Sequence, residues 1–419
     1  MTVLLQKVTI IAAASPHHKL VKDILIVNGK ITQIDNNIET DTDTVVSGNN
    51  LHVSVGWCDM FANFCEPGYE HKETLHTGAM AAAAGGFTDV MLIPNTLPIV
   101  DSKAQVEFLI QRAITLPINI HPIGAITKLA EGKALAEMYD MYASGAVAFS
   151  DGNRAIQHAD ILVKALQYAI PKKAVIIQIP VDNVLSMGGL INEGIESTKL
   201  GLPGLPAVAE EIMIARDIAL LSYTHAALHI TGVSTQQGLA LIDAARQKGL
   251  QISCSVTPYH LLFCDEDLGS YDTNLKLNPP LRTRTDMLAL QAALLQGKIN
   301  CIASHHSPQS VDDKICEFEY AKNGMLTLQS LFGSIATIMH DLDKLINILT
   351  ENNRAIFGLT IPTIEVGSEA CLTLFEPDKI WVFAENDILS KSKNSAFVGK
   401  QLKGKVVGIF NKNKWVANQ

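Results

Sequence analysis

Apolar residues in the middle of the chain recur in short runs that are separated by longer amphipathic stretches. The runs lie at residues 53–60, 90–93, 118–122, 146–149, 175–179, 227–230, 252–256 and 299–303. The stretches between them include residues 101–115, 155–169, 207–221, 235–248 and 285–295, where apolar positions follow helical spacing. About eight strand–helix units in ~300 residues predict a TIM-type (β/α)8 barrel over residues 53–365, with a doubly wound parallel sheet as the alternative.

Both ends of the chain follow a different pattern, with short β-rich runs and turns. Residues 24–27 and 30–34 flank Asn28-Gly29, which predicts a hairpin. Near the other end, residues 370–375, 381–383 and 406–410 also resemble strands. Because a β segment of ~50 residues buries too little apolar surface alone, we expect one small β-sandwich domain made of residues 1–52 plus 366–419.

Composition excludes several classes of protein. Apolar residues make up 47% of the chain and charged residues 18%, which is incompatible with a disordered chain. A net charge of −9 argues against partners such as nucleic acid or an anionic membrane, and no apolar run has the length of a membrane span. The 7 cysteines include no Cys-x-x-Cys pair, so we expect a reducing, cytoplasmic location.

Functional residues of a barrel cluster at the carboxyl ends of its strands and in the loops that follow. Several polar residues occupy such positions here, among them Asp59, Asn95, Asp151 and His305. Asn278 lies in a further loop, within Asn-Pro-Pro-Leu-Arg.

Motifs along nearly the whole chain resemble dihydroorotase, the cyclic amidohydrolase of pyrimidine synthesis, in the branch that associates with aspartate transcarbamoylase. They are Ile-Leu-Ile-Val-Asn-Gly-Lys at 24–30, Glu-Pro-Gly-Tyr-Glu-His-Lys-Glu-Thr at 66–74, Pro-Asn-Thr at 94–96, Gly-Ala-Ile-Thr at 124–127, Gly-Gly-Leu-Ile-Asn-Glu-Gly at 188–194, Asn-Pro-Pro-Leu-Arg at 278–282, Ser-Lys-Ser-Lys-Asn at 390–394 and Gly-Lys-Val at 404–406. Each motif is weak alone, but their order and spacing together are specific. The resemblance implies an amidohydrolase barrel.

The resemblance also implies a zinc site at the barrel mouth, which this chain does not reproduce. The six positions that correspond to the family's ligands hold Phe61, Asn63, Asp151, Ile179, Gly232 and His305. Asp151 alone matches, and His305 could ligate a metal. Catalytic zinc sites commonly use three protein ligands, so we expect no metal or other cofactor in this chain.

The residues that would hold the substrate are only partly retained. Asn95 and Asn278 match substrate contacts of the family, but Cys65 stands in place of an arginine and Gln309 in place of a loop histidine. The resemblance therefore implies a catalytically inactive dihydroorotase that forms homo-oligomers and serves aspartate transcarbamoylase as a structural or regulatory partner. The alternative is an active cyclic amidohydrolase in which Asp59, with Asp151 and His305, forms an altered site.

Three expectations concern side-chain positions at the mouth. Phe61 should fill the volume that metal would take. His305 should fill space and bond to Asp151 or Asp59. His229 precedes Gly232 by three residues, so alternation along a strand predicts that it points into the helix layer.

Overall fold

The computed structural model describes residues 1–418, in which strands and helices alternate through the middle of the chain. The strands are β1 (Thr2–Ile11), β2 (Val21–Val27), β3 (Lys30–Asp35), β4 (Thr44–Val46), β5 (His52–Val55), β6 (Trp57–Ala62), β7 (Phe87–Leu92), β8 (Asn119–Gly124), β9 (Ala148–Phe149), β10 (Val175–Gln178), β11 (Ile191–Asn192), β12 (Gly204–Leu205), β13 (Leu228–Ile230), β14 (Ile252–Val256), β15 (Cys301–Ile302), β16 (Leu372–Val382), β17 (Gln401–Asn411) and β18 (Lys414–Ala417). The α-helices are α1 (Leu75–Ala84), α2 (Lys103–Ala113), α3 (Met138–Ala143), α4 (Ala159–Ala169), α5 (Ile195–Leu200), α6 (Val208–Thr224), α7 (Gln236–Gln247), α8 (Pro258–Leu262), α9 (Arg284–Leu295), α10 (Val311–Lys314), α11 (Leu328–Ile335), α12 (Leu342–Leu349) and α13 (Glu351–Phe357).

Eight parallel strands form the barrel. Their order is β6-β7-β8-β9-β10-β13-β14-β15, so neighbours in space follow chain order. A parallel bridge between Ala62 and His306 brings the last strand region beside the first. This arrangement confirms the predicted barrel. It excludes the doubly wound sheet, whose strand order reverses at a switch point.

The barrel strands are buried on both faces, as parallel strands covered by helices usually are. All residues of β6 and β7 are buried. Side chains alternate between two clusters. Met91 and Ile177 belong to a cluster inside the barrel, whereas Val90 and Ile176 pack in the larger cluster with the helices. Because side chains fill the inside of the barrel, a functional site has room only at the ends of the strands.

Strands from both chain ends share one mixed sheet. Its order is β18-β17-β16-β5-β1-β2-β3, with β4 paired to β1. The antiparallel pairing of β5 with β16 joins the amino-terminal strands to the carboxyl-terminal ones. This sheet matches the second unit expected from the sequence. The domain boundaries at 52/53 and 365/366 stay predictions.

The hairpin at Asn28-Gly29 is confirmed. Asn28 has φ 50° and Gly29 φ 82°, and β2 pairs antiparallel with β3 around them. Two consecutive positive φ angles are what a two-residue turn of type I′ requires.

The predicted strand at 53–60 is two strands in the structure, separated by Gly56. β5 belongs to the mixed sheet and β6 to the barrel. A Cβ atom added to Gly56 would lie 2.1 Å from Thr88 Oγ1, so only glycine fits where the chain passes from one sheet to the other. Within residues 1–418, every helix is too short or too polar to span a bilayer.

The amino-terminal end of the barrel, here called the floor, is held by a buried carboxylate. Asp89 accepts hydrogen bonds from Arg354 (2.6 Å), His121 (2.8 Å), Thr88 (2.8 Å) and Asn119 (3.1 Å). Burial alone would raise the Asp89 pKa, but the His121 hydrogen bond and the Arg354 charge hold it well below its usual range. The floor is thus a fully partnered ionic site that ties β7 and β8 to α13.

Candidate functional site at the barrel mouth

The carboxyl ends of the barrel strands surround a cavity of about 170 Å³, here called the mouth cavity. It is lined by Phe61, Ala62, Asn63, Ile93, Asn153, Tyr259, Asn278, His305, His306, Ser307, Asn323 and Gly324. This is where the sequence predicts functional residues, because side chains from several strands meet there.

Phe61 and His305 together close the bottom of the mouth cavity. Phe61 lies on β6, and only 1% of its surface is exposed. Its ring stacks on His305, with centroids 4.5 Å apart and planes 29° from parallel. Ile179, which follows β10, is also buried in the cluster inside the barrel. Apolar surface therefore occupies the centre of the mouth.

Gly232 makes room for the His305 ring. Gly232 has φ 71°, and a Cβ atom built on it would lie 2.9 Å from His305 Cε1. The imidazole Nε2 of His305 is 2.8 Å from Thr231 Oγ1. The His305 ring thus occupies the space at the end of β13 that the side chain of a larger residue at position 232 would take.

The expectation that His305 bonds to Asp151 or Asp59 is wrong. The Asp151 carboxylate accepts hydrogen bonds from Thr127 N (2.9 Å) and Thr127 Oγ1 (2.5 Å). Asp59 accepts from Ser304 N and Ser304 Oγ, both at 2.7 Å. Both carboxylates accept hydrogen bonds from residues that follow neighbouring strands, and the hydrogen-bond partner of His305 is Thr231.

Burial controls ionisation at the mouth. It raises the pKa of both Asp59 and Asp151, although the hydrogen bonds from Ser304 and Thr127 oppose the shift. Burial, with smaller contributions from His260 and His229, lowers the pKa of His305 to about 3. His305 is therefore neutral near pH 7.

The expectation that His229 points into the helix layer is wrong as well. Its Nδ1 is 2.7 Å from Ser253 Oγ and its Nε2 is 3.0 Å from Ser255 Oγ, both on β14. Ser255 in turn contacts Thr231 at 2.9 Å. A buried chain of polar groups therefore runs from His305 down into the barrel. The sequence argument failed because β13 ends at Ile230, so alternation cannot be counted back from Gly232.

The residues at the mouth do not fit a zinc centre. Phe61, Ile179 and Gly232 have no side-chain lone pairs to donate. Within residues 1–418, no three His, Cys, Asp or Glu side chains lie close enough together to hold a metal ion. Catalytic zinc usually has three protein ligands, so the donor set is too small.

The two asparagines expected to contact substrate have different positions. Asn278 lines the mouth cavity. Asn95 instead bridges two loops, because its Nδ2 donates to Asp151 O (3.1 Å) and its Oδ1 accepts from Asn153 N (2.8 Å). A Cβ atom on Gly152 would lie 1.7 Å from Asn95 Oδ1, so this contact depends on glycine there. Of these two asparagines, Asn278 is the one that lines the cavity.

Cys65 and Gln309 take structural contacts. Cys65 is buried, and burial, followed by the nearby Glu73 charge, raises its thiol pKa to about 12. A thiol in that state is a poor nucleophile at neutral pH. Gln309 Oε1 accepts from Lys72 Nζ at 2.7 Å, and its Nε2 donates to Asn323 O at 2.8 Å. Neither residue offers a charged group to a substrate.

Comparison with known proteins agrees with this architecture. The family described as Dihydro-orotase-like matches residues 52–238. The dihydroorotase of Syntrophus aciditrophicus is 37% identical over 393 residues, which cover 92% of each chain. That of Pelotomaculum thermopropionicum is 38% identical over 389 residues, or 91% of each chain.

Among solved structures, the L-hydantoinase (dihydropyrimidinase) of Arthrobacter aurescens has a TM-score of 0.86 and 20% identity, over 99% of this chain and 96% of that one. The D-hydantoinase (dihydropyrimidinase) of Thermus sp. has a TM-score of 0.83. At this identity the likeness shows a shared fold. The identity to the dihydroorotases extends along almost the whole chain, so the chain belongs to the dihydroorotase family.

Proposed function

We propose that this chain is a non-catalytic dihydroorotase-like protein of pyrimidine biosynthesis, and that it acts as a structural or regulatory partner of aspartate transcarbamoylase. One observation carries the first half of this proposal. The stacked rings of Phe61 and His305, packed against Gly232, fill the centre of the mouth with groups that cannot assemble a metal site.

The chemistry of ring-amide hydrolysis explains why this loss matters. Bulk water has a pKa of about 15.7 and needs a metal or a strong base to act as a nucleophile near pH 7. The carboxylates of Asp59 and Asp151 are buried and accept hydrogen bonds from Ser304 and Thr127. Both carboxylates are thus held by protein groups outside the cavity wall, and burial keeps the Cys65 thiol protonated near pH 7.

The first experiment measures zinc content and dihydroorotate hydrolysis of the purified chain, with the Syntrophus aciditrophicus relative as the active reference. We expect no stoichiometric zinc and no turnover above background. Phe61→His should leave both readings unchanged, since one added ligand still leaves too few. Stoichiometric zinc together with hydrolysis that a chelator abolishes would contradict the proposal.

That outcome would instead establish the alternative, an active cyclic amidohydrolase with an altered metal site. The names of the relatives favour this alternative, since they are dihydroorotases. The side chains at the mouth argue against it, and we give them greater weight because substitutions at the reacting centre remove chemistry while the fold persists.

The second half of the proposal concerns assembly. It rests on the family branch that the motifs resemble, and on motifs away from the mouth that persist, such as Gly-Lys-Val at 404–406. We expect a cytoplasmic homo-oligomer; all 7 cysteines are free, in keeping with a reducing compartment. Light scattering after size exclusion, with and without aspartate transcarbamoylase, tests this. A monomer that elutes apart from that enzyme at micromolar concentration would refute it.

A further inference from the structure

The helices around the barrel differ in the charge that they expose. α2 and α4 expose charged side chains, among them Lys103, Glu107, Asp160 and Lys164. By contrast α6 and α7, which the structure describes completely, expose no charged side chain. Their exposed residues are Val208, Ile212, Ala215, Ala219, Ser222 and Tyr223 on α6, and Gln236, Gln237, Ala240, Ala244 and Gln247 on α7.

The charged residues of α6 and α7 are all buried or half-buried. Arg216 donates to Asp217 Oδ1 at 2.6 Å, and Arg246 donates to Asn300 Oδ1 at 2.8 Å. Removing an unpaired charge from water is a large cost of association. A partner that covers these two helices would not pay it at any fully exposed charge.

α9 continues this uncharged surface. Beyond its first turn, its exposed residues are Leu288, Ala292 and Leu295. Arg284, at the first residue of α9, is exposed but pairs with Glu266 at 2.7 Å. The outward sides of α6, of α7 and of α9 from Leu288 onward are here called the α6–α7–α9 face.

This face carries a ridge beside a groove. The ridge is the row of large side chains on α6, where Val208, Ile212 and Tyr223 are 42%, 46% and 71% exposed. The groove lies between α7 and α9, has a volume of about 260 Å³ and is lined most often by alanine. Its lining residues are Gln236, Leu239, Ala240, Asp243, Ala289, Ala292, Ala293, Gln296 and Lys298. Because α7 packs against both α6 and α9, it separates the ridge from the groove.

The α6–α7–α9 face is large enough for a stable contact. α6 has 17 residues, which corresponds to a length of ~25 Å. Three neighbouring helices at a spacing of ~10 Å span ~30 Å. The face therefore measures roughly 750 Å², close to the ~800 Å² that each partner contributes to a standard interface.

From the missing charge, the ridge beside the groove and the area together, we propose that the α6–α7–α9 face binds a second copy of this chain. A twofold axis beside α7 places the α6 ridge of each copy in the α7–α9 groove of the other, so every contact is made twice. Ala240 and Ala244 lie nearest to that axis, and their small side chains let the helices approach closely. Two chains of net charge −9 repel each other least where they meet through an uncharged surface. This inference rests on the homo-oligomer of the proposed function and names the surface that forms it.

Sedimentation equilibrium of the purified chain tests the proposal. We expect a dimer at micromolar concentration. Ala240→Glu should weaken the dimer at least a hundredfold, because it places two carboxylates close to the twofold axis. Ala104→Glu is the matched control: it makes the same substitution at an exposed position of α2 and should leave the dimer unchanged.

A pair of cysteines tests the arrangement without adding charge. Ile212 belongs to the ridge and Ala292 to the groove, on opposite sides of α7 within one chain. The double variant Ile212→Cys with Ala292→Cys should therefore form a disulfide between two chains under mild oxidation. A non-reducing gel detects the covalent dimer, and each single variant should give no more of it than the unmodified chain.

The outcomes separate this inference from the proposal on which it rests. A chain that stays monomeric at hundred-micromolar concentration would overturn both. A dimer that tolerates Ala240→Glu and is not cross-linked by the cysteine pair would overturn the inference alone, because the copies then meet elsewhere. A monomeric chain that binds aspartate transcarbamoylase, and loses that binding in Ala240→Glu, would overturn it by assigning the face to that enzyme.

Discussion

The two ends of the barrel differ in the charged side chains that they contain. At the floor, the Asp89 carboxylate is paired with Arg354 and accepts three further hydrogen bonds. At the mouth, none of the described residues that line the cavity is an Asp, Glu, Lys or Arg. The charged side chains of the floor hold strands and helices together, whereas the Asp59 and Asp151 carboxylates near the mouth accept hydrogen bonds from Ser304 and Thr127 and do not line the cavity. The comparison separates residues that maintain the fold from positions that are free to change.

The largest expected effect on stability comes from removing the charged partner of Asp89 at the floor. Arg354→Ala should lower the free energy of unfolding by about 3–5 kcal/mol, because it leaves the buried Asp89 carboxylate without its charged partner. Urea unfolding followed by circular dichroism measures the loss.

Arg284→Ala provides the matched control for the floor. Arg284 and Glu266 form an ion pair whose side chains are 55% and 49% exposed, so solvent screens it. Its removal should change the free energy of unfolding far less than Arg354→Ala does. Similar losses in the two variants would mean that the floor is not a special ionic site.

A smaller loss of stability is expected from adding a side chain next to His305 at the mouth. Gly232→Ala should destabilise the chain by about 2–4 kcal/mol, because its φ is 71° and its new Cβ would lie 2.9 Å from His305. Gly249→Ala is the control, since Gly249 has φ 83° but no atom within 4 Å of the new Cβ. It should cost only about 1–2 kcal/mol.

The double variant Gly232→Ala with His305→Ala sharpens this test. Removal of the imidazole should recover part of the loss, and a thermodynamic cycle measures the coupling. If the two substitutions are additive, His305 does not occupy the space beside Gly232 in solution.

The smallest expected effect is on the way the free energy of unfolding depends on pH, through the buried His229. Burial, with the Arg246 charge, lowers the His229 pKa to about 3, below the value of about 6.5 in an unfolded chain. The unfolded chain then binds more protons, so stability falls as pH drops from 6.5 towards 3.

His229→Gln should remove this contribution, about 1 kcal/mol between pH 6 and 5, from the slope of stability against pH. Urea unfolding at a series of pH values gives the slope. His71→Gln, at an exposed position, should leave it unchanged. An unaltered slope in His229→Gln would show that this histidine does not titrate differently on folding.

The sequence predicted the barrel because its period is strong: apolar runs such as 90–93 and 175–179 recur at regular distances and are bounded by helical stretches. It also predicted that Phe61 lies at the centre of the mouth. It failed where the backbone leaves regular geometry. The φ angles of Gly232 and His305 are positive, and alternation along a strand says nothing about side chains beyond that point.

The sequence did not predict the ion pair at the floor, for a different reason. Asp89 and Arg354 are separated in sequence by most of the barrel; Asp89 is a single charged residue in an apolar strand, and Arg354 follows a polar run at 351–353. Only the closed barrel brings them within 2.6 Å of each other. No local pattern marks such a pair before the fold is known.

The pairing of β5 with β16 sets an order of events during synthesis. The strands β1, β2, β3 and β5 leave the ribosome first, but the partner edge of β5 arrives ~300 residues later. At about 5–20 residues per second, that edge waits roughly 15–60 s with its backbone groups unpaired. Unpaired strand edges are templates for association with other chains. The nascent chain is therefore most prone to aggregation during this interval, when a chaperone would have most to protect.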